Sequence, residues 1–199
     1  MTLQFVLDYR SPYSYLANSQ LRRWTERIEY RPVDLVDLMK RVNNQLSPLC
    51  PPKARYALMD AKRWAMARGV PFSPNQAFFQ AMRKGAIDGA LLSRVAVAAQ
   101  STGVFGKVND ALFEAVWADR ADLIGPEGRS AFLERLDVGG VDLWQLALAD
   151  NVTERLSSHN DEAVSRGVFG VPTIFVGEEM FFGNDRMELV RSQLQARAT

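Results

Sequence analysis

The pattern of apolar and polar positions in the first thirty-five residues predicts a strand, a helix and a second strand. Residues 3–9 form an apolar run that predicts a strand, and the segment after it, to about Trp24, has the 3.6-residue spacing of an amphipathic helix. Residues 27–35 again alternate and predict a second strand. A helix between two strands is typical of a parallel crossover, so we expect these strands to pair in parallel.

The end of the chain returns to the same pattern after a long helical stretch. From about 37 to 150 helical spacing is frequent, and no strand is predicted. A helix over 151–166 is followed by strands at 173–176 and 179–182, and Asn184 is expected to cap a final helix. We therefore predict an α/β fold whose four-stranded sheet is built from 1–36 and 151–199, with 37–150 as an inserted helical domain.

One turn joins the first strand to the first helix, and its residues suit a helix start. Ser11 stands at the N-cap position and Pro12 at the first helical position, where each residue type is preferred. A helix N-terminus gathers unpaired N–H groups and partial positive charge, so it stabilises an anion, including a thiolate. A simple capped helix is the alternative interpretation.

A second turn precedes the predicted strand at 173–176. Val171-Pro172 comes directly before a β-branched apolar run, and proline is tolerated at the start of a strand because it cannot donate to the ladder. A cis bond is possible there.

Charge, hydropathy and cysteine content each argue against a class of protein. Lys plus Arg total 24 and Asp plus Glu total 23, a net charge of +1, which argues against a nucleic-acid-binding protein. No stretch has the about 18 apolar residues of a membrane span, and no signal peptide is predicted. With Cys50 as the one cysteine, an internal disulfide is excluded, and we expect a cytoplasmic protein.

Few residues of the chain are ordinary nucleophiles or metal ligands. Cys50 has no histidine near it in sequence, and an inert thiol is the favoured interpretation. His159, the one histidine, lies in a polar helical segment and is expected at the surface. We expect no metal site, and the chemistry then has to come from a bound cofactor.

Four motifs, in this order, carry a resemblance to a known family. They are Ser-Pro-Tyr-Ser-Tyr-Leu-Ala from residue 11, Asp60-x-x-Arg-Trp-Ala, Gly-Val-Phe-Gly-Val-Pro-Thr from 167, and Phe-Gly-Asn-Asp-Arg from 182. The chain resembles the 2-hydroxychromene-2-carboxylate isomerase family, in the DsbA-like branch of the thioredoxin superfamily and close to the kappa-class glutathione transferases. That branch usually carries Cys-x-x-Cys at the helix start, whereas positions 11 and 14 are serine here.

This resemblance implies a thioredoxin-like fold, glutathione as cofactor and a homodimer. The family interconverts 2-hydroxychromene-2-carboxylate and trans-o-hydroxybenzylidenepyruvate in aromatic catabolism of the naphthalene type. A thiolate can add to the conjugated system, the resulting single bond rotates, and elimination regenerates glutathione. We expect Ser11 to donate a hydrogen bond to that thiolate rather than to attack the substrate.

The resemblance also assigns binding roles along the chain. Glutathione would meet residues of three turns, with the Val171 backbone pairing with the cysteinyl unit and Asp185 accepting from the γ-glutamyl ammonium: Ser11, Pro12, Tyr13, Val171, Pro172, Asn184 and Asp185. The substrate, a flat aromatic carboxylate, requires a cation and an aromatic wall. The candidate cations are Lys40, Arg41 and Lys53, the candidate walls are Tyr13, Trp64, Phe78, Phe79 and Phe182, and either Asn43 or Asn44 is the loop ligand.

Two other functions remain open. A kappa-type transferase or peroxidase would consume glutathione, and a non-catalytic thioredoxin-fold protein would bind it weakly or not at all. A dithiol oxidoreductase is excluded, because a single cysteine leaves no resolving thiol.

Overall fold

The structure is a computed structural model and describes residues 2–46 and 49–197. The strands are β1 (Thr2–Leu7), β2 (Arg27–Pro32), β3 (Thr173–Val176) and β4 (Glu179–Phe182). The helices within the described ranges are α1 (Pro12–Leu21), α2 (Leu35–Arg41), α3 (Pro51–Arg68), α4 (Gln76–Arg83), α5 (Leu91–Ser101), α6 (Phe105–Trp117), α7 (Pro126–Leu136), α8 (Leu143–Leu146), α9 (Asp150–Ser165) and α10 (Met187–Ala196).

Both ends of the chain supply the sheet, as the sequence predicts. The strand order is β2-β1-β3-β4. β1 runs parallel to β2 and antiparallel to β3, with Phe5 opposite Tyr30 on one side and Ile174 on the other. β3 and β4 form the predicted hairpin. The predicted α/β fold, with a helical stretch between β2 and β3, is thereby confirmed.

β1 is an interior strand of the sheet, and its side chains are buried on both faces. Leu3, Phe5 and Leu7 on one face are fully buried, and Val6 on the other is 2% exposed. A central strand of this kind reads as a nearly continuous apolar run. A buried cluster on the sheet, α2 and the end of α9 holds the site-bearing turns in place: Val6, Val33, Leu38, Met39, Ala163, Val168, Val171 and Phe175.

The chain divides into two compact units, Met1–Val70 with His159–Thr199, and Pro71–Ser158. The first contains the sheet, α1, α2, α3 and α10, and α3 packs against α1. The predicted domain boundaries, at 36/37 and 150/151, stay a prediction; the compact units divide at other positions.

The second unit is helical and has its own core. Phe78 of α4 is 1% exposed, and Phe79 packs on Trp117 with ring centroids 5.1 Å apart. The expectation that Phe78 forms a substrate wall is therefore wrong, because its ring is enclosed by this core.

Two further expectations are corrected. α10 begins at Met187, and its N-cap is Arg186 with no side-chain cap bond, so Asn184 does not cap the helix. Met187, Val190 and Leu194 are the buried residues of α10. His159 is 6% exposed with its Nδ1 2.9 Å from the Pro32 carbonyl oxygen, so the expected surface position is wrong.

Candidate functional site

Ser11 begins α1 as the sequence predicts. Its φ of −91° and ψ of 116° are extended, and its Oγ accepts a hydrogen bond from the Ser14 N–H at 3.2 Å. The Ser11 N–H donates to the Asp8 carbonyl at 3.0 Å, which closes the turn after β1. Ser11 is 6% exposed. The hydroxyl thus lies among the unpaired N–H groups of a helix start, where an anion is stabilised.

The Val171-Pro172 turn lies beside this helix start. The bond between the two residues is cis. The Ser11 hydroxyl donates to the Val171 carbonyl oxygen at 3.5 Å, a distance beyond the usual range for hydroxyl donors. Since that bond is weak, the hydroxyl proton can turn to a stronger acceptor placed between the two turns.

Tyr13 is held in its neutral form. Its hydroxyl donates to Asp60 Oδ2 at 2.9 Å. Burial, the hydrogen bond to Asp60 and the charge of that carboxylate raise the pKa of Tyr13 well above its ordinary value. Tyr13 therefore does not act as a base near neutral pH, and it connects α1 to α3.

The turn after β4 brings Asn184 and Asp185 to the same unit. Gly183 has a φ of 107°, and its N–H donates to the Pro172 carbonyl at 3.0 Å. Asn184 is 3% exposed, and its side-chain Nδ2 has no partner among the described residues. Asp185 pairs with Arg186 at 2.5 Å. The carbonyl of one turn is thus tied to the N–H of the other.

The proposed substrate residues fall into two groups. Asn44 Nδ2 donates to the Phe169 carbonyl at 2.7 Å, and the Phe169 and Phe182 rings lie 4.6 Å apart, with the side chains 40% and 41% exposed. These two rings form an open aromatic surface, and Phe169 stands two residues before Val171 in the chain. Asn43, with a φ of 53°, occupies the left-handed position after α2.

The remaining substrate candidates, which are two lysines, an arginine and a tryptophan, lie on α2 and α3. Lys40 and Lys53 are exposed, on α2 and α3. Arg41 pairs with Asp37 and Asp161, which occupy its charge. The Trp64 ring faces the guanidinium of Arg68, 4.5 Å from the ring centroid. Hydrogen bonds from Ser11 to Val171 and from Gly183 to Pro172 link the three turns that carry most of the proposed glutathione residues.

A buried ion pair supports the turn that carries Ser11. Arg10 pairs with Asp8 at 2.5 Å and with Asp34 at 2.7 Å, and Asp8 also accepts from the Leu35 N–H at 2.9 Å. Burial lowers the pKa of Arg10, but the two carboxylates prevail and hold it above its ordinary value. The turns after β1 and β2 are therefore fixed to each other by charge.

Several residues contact the site although the sequence pattern indicates no role for them. The Phe169 ring packs at a tilt against Phe182, Gln20 Nε2 lies 3.4 Å from the Asn184 carbonyl, and Arg68 Nη2 donates to the same carbonyl at 2.8 Å. The residues concerned are far apart in sequence, so no local pattern indicates these contacts.

The described residues contain no group of three or more side chains that could hold a metal. An open cavity of about 730 Å³ lies in the second unit, between α7 and residues 138–148, and none of the predicted site residues lines it. No helix of the described segments has the length and apolar character needed to cross a bilayer.

Comparison with known proteins identifies the family. The model of the DSBA-like thioredoxin domain matches residues 2–195. The chain is 30% identical over 206 residues to a 2-hydroxychromene-2-carboxylate isomerase of Pseudomonas putida, covering 98% of this chain and 94% of that protein. It is 24% identical over 207 residues to glutathione S-transferase kappa 1 of Caenorhabditis elegans, covering 97% and 90%.

A solved structure agrees with the sequence relatives. The structure of a selenomethionine 2-hydroxychromene-2-carboxylate isomerase superposes with a TM-score of 0.81 at 25% identity, over 100% of this chain and 96% of that one. This chain therefore belongs to the DSBA-like thioredoxin family and, within it, to the family of the 2-hydroxychromene-2-carboxylate isomerases.

Proposed function

We propose that this protein is a glutathione-dependent isomerase that interconverts 2-hydroxychromene-2-carboxylate and trans-o-hydroxybenzylidenepyruvate in aromatic hydrocarbon catabolism. The observation that carries the proposal is the Ser11 hydroxyl at the start of α1, facing the Val171 carbonyl before the cis bond. The single cysteine, Cys50, lies outside this turn. The thiol must then come from a ligand.

The residues present fit glutathione. Among the described residues, three buried side-chain polar atoms lack a partner: Ser14 Oγ, Asn184 Nδ2 and Arg68 Nη1. Buried polar groups are normally satisfied, and two of these atoms, Asn184 Nδ2 and Arg68 Nη1, belong to residues that contact each other at the turn after β4, so they favour a polar ligand there. In the proposal the ligand is held by Ser11, Pro12, Tyr13, Val171, Pro172, Asn184 and Asp185.

The residues at the start of α1 would stabilise the glutathione thiolate. When bound, glutathione would supply a thiolate nucleophile that makes a double bond of the substrate transiently single. Ser11 donates its hydroxyl proton toward the sulfur, and the α1 N–H groups add partial positive charge. Lowering a thiol pKa by about two units requires about 2.7 kcal/mol, which a charge-assisted hydrogen bond and a helix end together supply.

The aromatic acid would lie against the open rings. Phe182, beside Phe169, offers an aromatic face next to the cis-proline turn, and Trp64 is the second proposed wall. Lys40 and Lys53 are the proposed partners of its carboxylate, and Asn43 or Asn44 the proposed loop ligand. Because Asn44 already donates to the Phe169 carbonyl, we favour it as the residue that positions this ring.

The direct test is spectroscopic. Purified protein, freed of any bound thiol by dialysis, is mixed with 2-hydroxychromene-2-carboxylate, and the absorbance change is followed with and without added glutathione. We expect the protein to convert the substrate only when glutathione is added. Equal conversion in its absence would contradict the proposal.

A kappa-type transferase is the second candidate, favoured by the similarity to a glutathione S-transferase kappa. It would join glutathione to an electrophile or reduce a peroxide, and free thiol would then fall with turnover. A non-catalytic binding protein is the third, and it would give neither conversion nor thiol loss.

The proposal includes a cytoplasmic location and a homodimer. A cytoplasm supplies reduced glutathione, which the chemistry needs. On α3, Tyr56, Met59 and Met66 share one helix face and are 57%, 54% and 73% exposed, an apolar stripe suited to a second copy. Light scattering after size exclusion tests it: about twice the chain mass of 22.3 kDa supports a dimer, and the chain mass contradicts it.

A further inference from the structure

Arg68 is the last residue of α3, and two neighbours fix its guanidinium. The group lies 4.5 Å from the centroid of the Trp64 ring. Its Nη2 donates to the Asn184 carbonyl oxygen at 2.8 Å, an acceptor that Gln20 Nε2 approaches at 3.4 Å. Because the ring limits its rotation, Arg68 holds this carbonyl in one direction.

The electrostatic surroundings of Arg68 are incomplete. Burial lowers the pKa of Arg68, and the negative charge of Asp185 opposes that effect only in part. The side chain of Asp185 is itself paired with Arg186. Nη1 is buried, and no described residue accepts from it. A partly buried cation that is held by a neutral carbonyl is costly, unless a further negative group arrives.

The position of Arg68 indicates which negative group would pair with its guanidinium. The carbonyl that Arg68 holds belongs to Asn184, whose own Nδ2 is the second unpaired donor, and Asp185 follows at once. Two donors without a partner among the described residues, one from α3 and one from the turn itself, thus belong to residues that meet at the turn that carries the Asp185 carboxylate. This set matches a ligand end that carries both a carboxylate and an ammonium, such as the γ-glutamyl unit of glutathione.

We propose that Arg68 is a positioning residue for that unit. It fixes the Asn184–Asp185 turn through the Asn184 carbonyl, and its charge favours the γ-glutamyl carboxylate. This inference rests on glutathione being the ligand. A helix-end role is the competing explanation, since cations also stabilise the C-terminus of a helix. That role would affect unfolding but would not distinguish one ligand from another.

The test compares two ligands by calorimetric titration. Glutathione is measured against cysteinylglycine, which lacks the γ-glutamyl unit, on the unsubstituted chain and on Arg68→Lys and Arg68→Met. Lys62→Met is the matched control, since Lys62 is exposed on the same helix. We expect Arg68→Met to weaken glutathione about tenfold, about 1.4 kcal/mol, with cysteinylglycine changed less than about twofold. Arg68→Lys keeps the charge without the planar fork and should fall between.

Steady-state kinetics give a second readout. The KM for glutathione should rise about tenfold in Arg68→Met, and kcat at saturating glutathione should change less than about threefold, because Arg68 touches no reacting atom. Equal losses for both ligands, or none, would overturn the proposal. If Arg68→Met does not fold, Arg68→Lys carries the same comparison.

A ligand-free measurement separates this inference from the proposed function. Backbone amide exchange of residues 183–186 should be faster in Arg68→Met than in Lys62→Met. If the unsubstituted chain does not bind glutathione, the proposed function and the γ-glutamyl assignment both fail. Faster exchange would then still support the positioning of the turn, and unchanged exchange would overturn that as well.

Discussion

Replacing Ser11 by alanine should raise the pKa of the bound glutathione thiol. Ser11 is 6% exposed, and the long bond from its hydroxyl to the Val171 carbonyl, at 3.5 Å, leaves the proton free to turn to a charged acceptor. A hydrogen bond to a charged group contributes about 1.5–3 kcal/mol. That corresponds to a rise of about one to two pKa units.

The expected loss of thiolate follows from these numbers. If the bound thiol has a pKa of about 6.5, roughly three quarters is ionised at pH 7, and a rise of one unit leaves about one quarter. Two units leave about 3%. The turnover rate at pH 7 should fall by a similar factor, about three- to twenty-five-fold, and recover as the pH rises.

The measurement is the ultraviolet absorbance of the thiolate as a function of pH, on protein saturated with glutathione. Alanine also removes the cap bond to the Ser14 N–H, worth about 1 kcal/mol of stability. Ser11→Asp separates the two effects, because aspartate accepts from the cap N–H but cannot donate to a thiolate. Ser19→Ala, a buried serine of the same helix, is the control.

Ser11→Asp should therefore keep the stability of the original chain and still raise the thiol pKa at least as far as Ser11→Ala. Ser11→Thr should restore most of the original value. An unchanged thiol pKa in Ser11→Ala would refute the proposed role of Ser11.

Three other substitutions test the surrounding structure. Arg10→Met should lower the free energy of unfolding by about 3–5 kcal/mol in a denaturant titration, because the Asp8 side chain, 2% exposed, loses its buried counter-ion; an unchanged midpoint would contradict this. Gly183→Ala should weaken glutathione about tenfold, since φ is +107° and the new Cβ would lie 2.5 Å from the carboxylate two residues on. Gly85→Ala, also at positive φ but with nothing within 4 Å, should leave glutathione binding unchanged. Burial raises the pKa of Glu162, but the hydrogen bond from Gln4 and the charge of Arg31 prevail and hold this pKa below its ordinary 4.5. The ionised Glu162 side chain therefore stabilises the fold fully above pH 4.5, and this stabilisation is lost as the pH falls through the lowered pKa. The Tm difference between the chain and Glu162→Gln should therefore shrink as the pH falls below about 4.5, and a pH-independent difference would contradict it.

The sheet and the helix start could be predicted because their signals are local. The strands at 173–176 and 179–182 are confirmed to the residue, since Gly177 marks the turn between two short apolar runs. Ser11 is confirmed as the N-cap, because N-cap preference depends on the residue's own side chain.

The errors arise where distant residues decide the outcome. Asn184 resembles a cap in sequence, but α10 begins three residues later, and the Asn184 carbonyl accepts from Arg68, 116 positions away. His159 lies in a polar run, yet its ring contacts the Pro32 carbonyl across 127 positions. Residue spacing along one helix cannot predict which buried partner its polar face will meet.

The stoichiometry of thiol against product tests the central claim most directly. Substrate conversion is followed by absorbance in the presence of limiting glutathione, and free thiol is titrated after many turnovers. The account predicts that product accumulates in large molar excess over glutathione while the free thiol stays at its starting concentration. Loss of one thiol for each product molecule would contradict it and indicate a transferase.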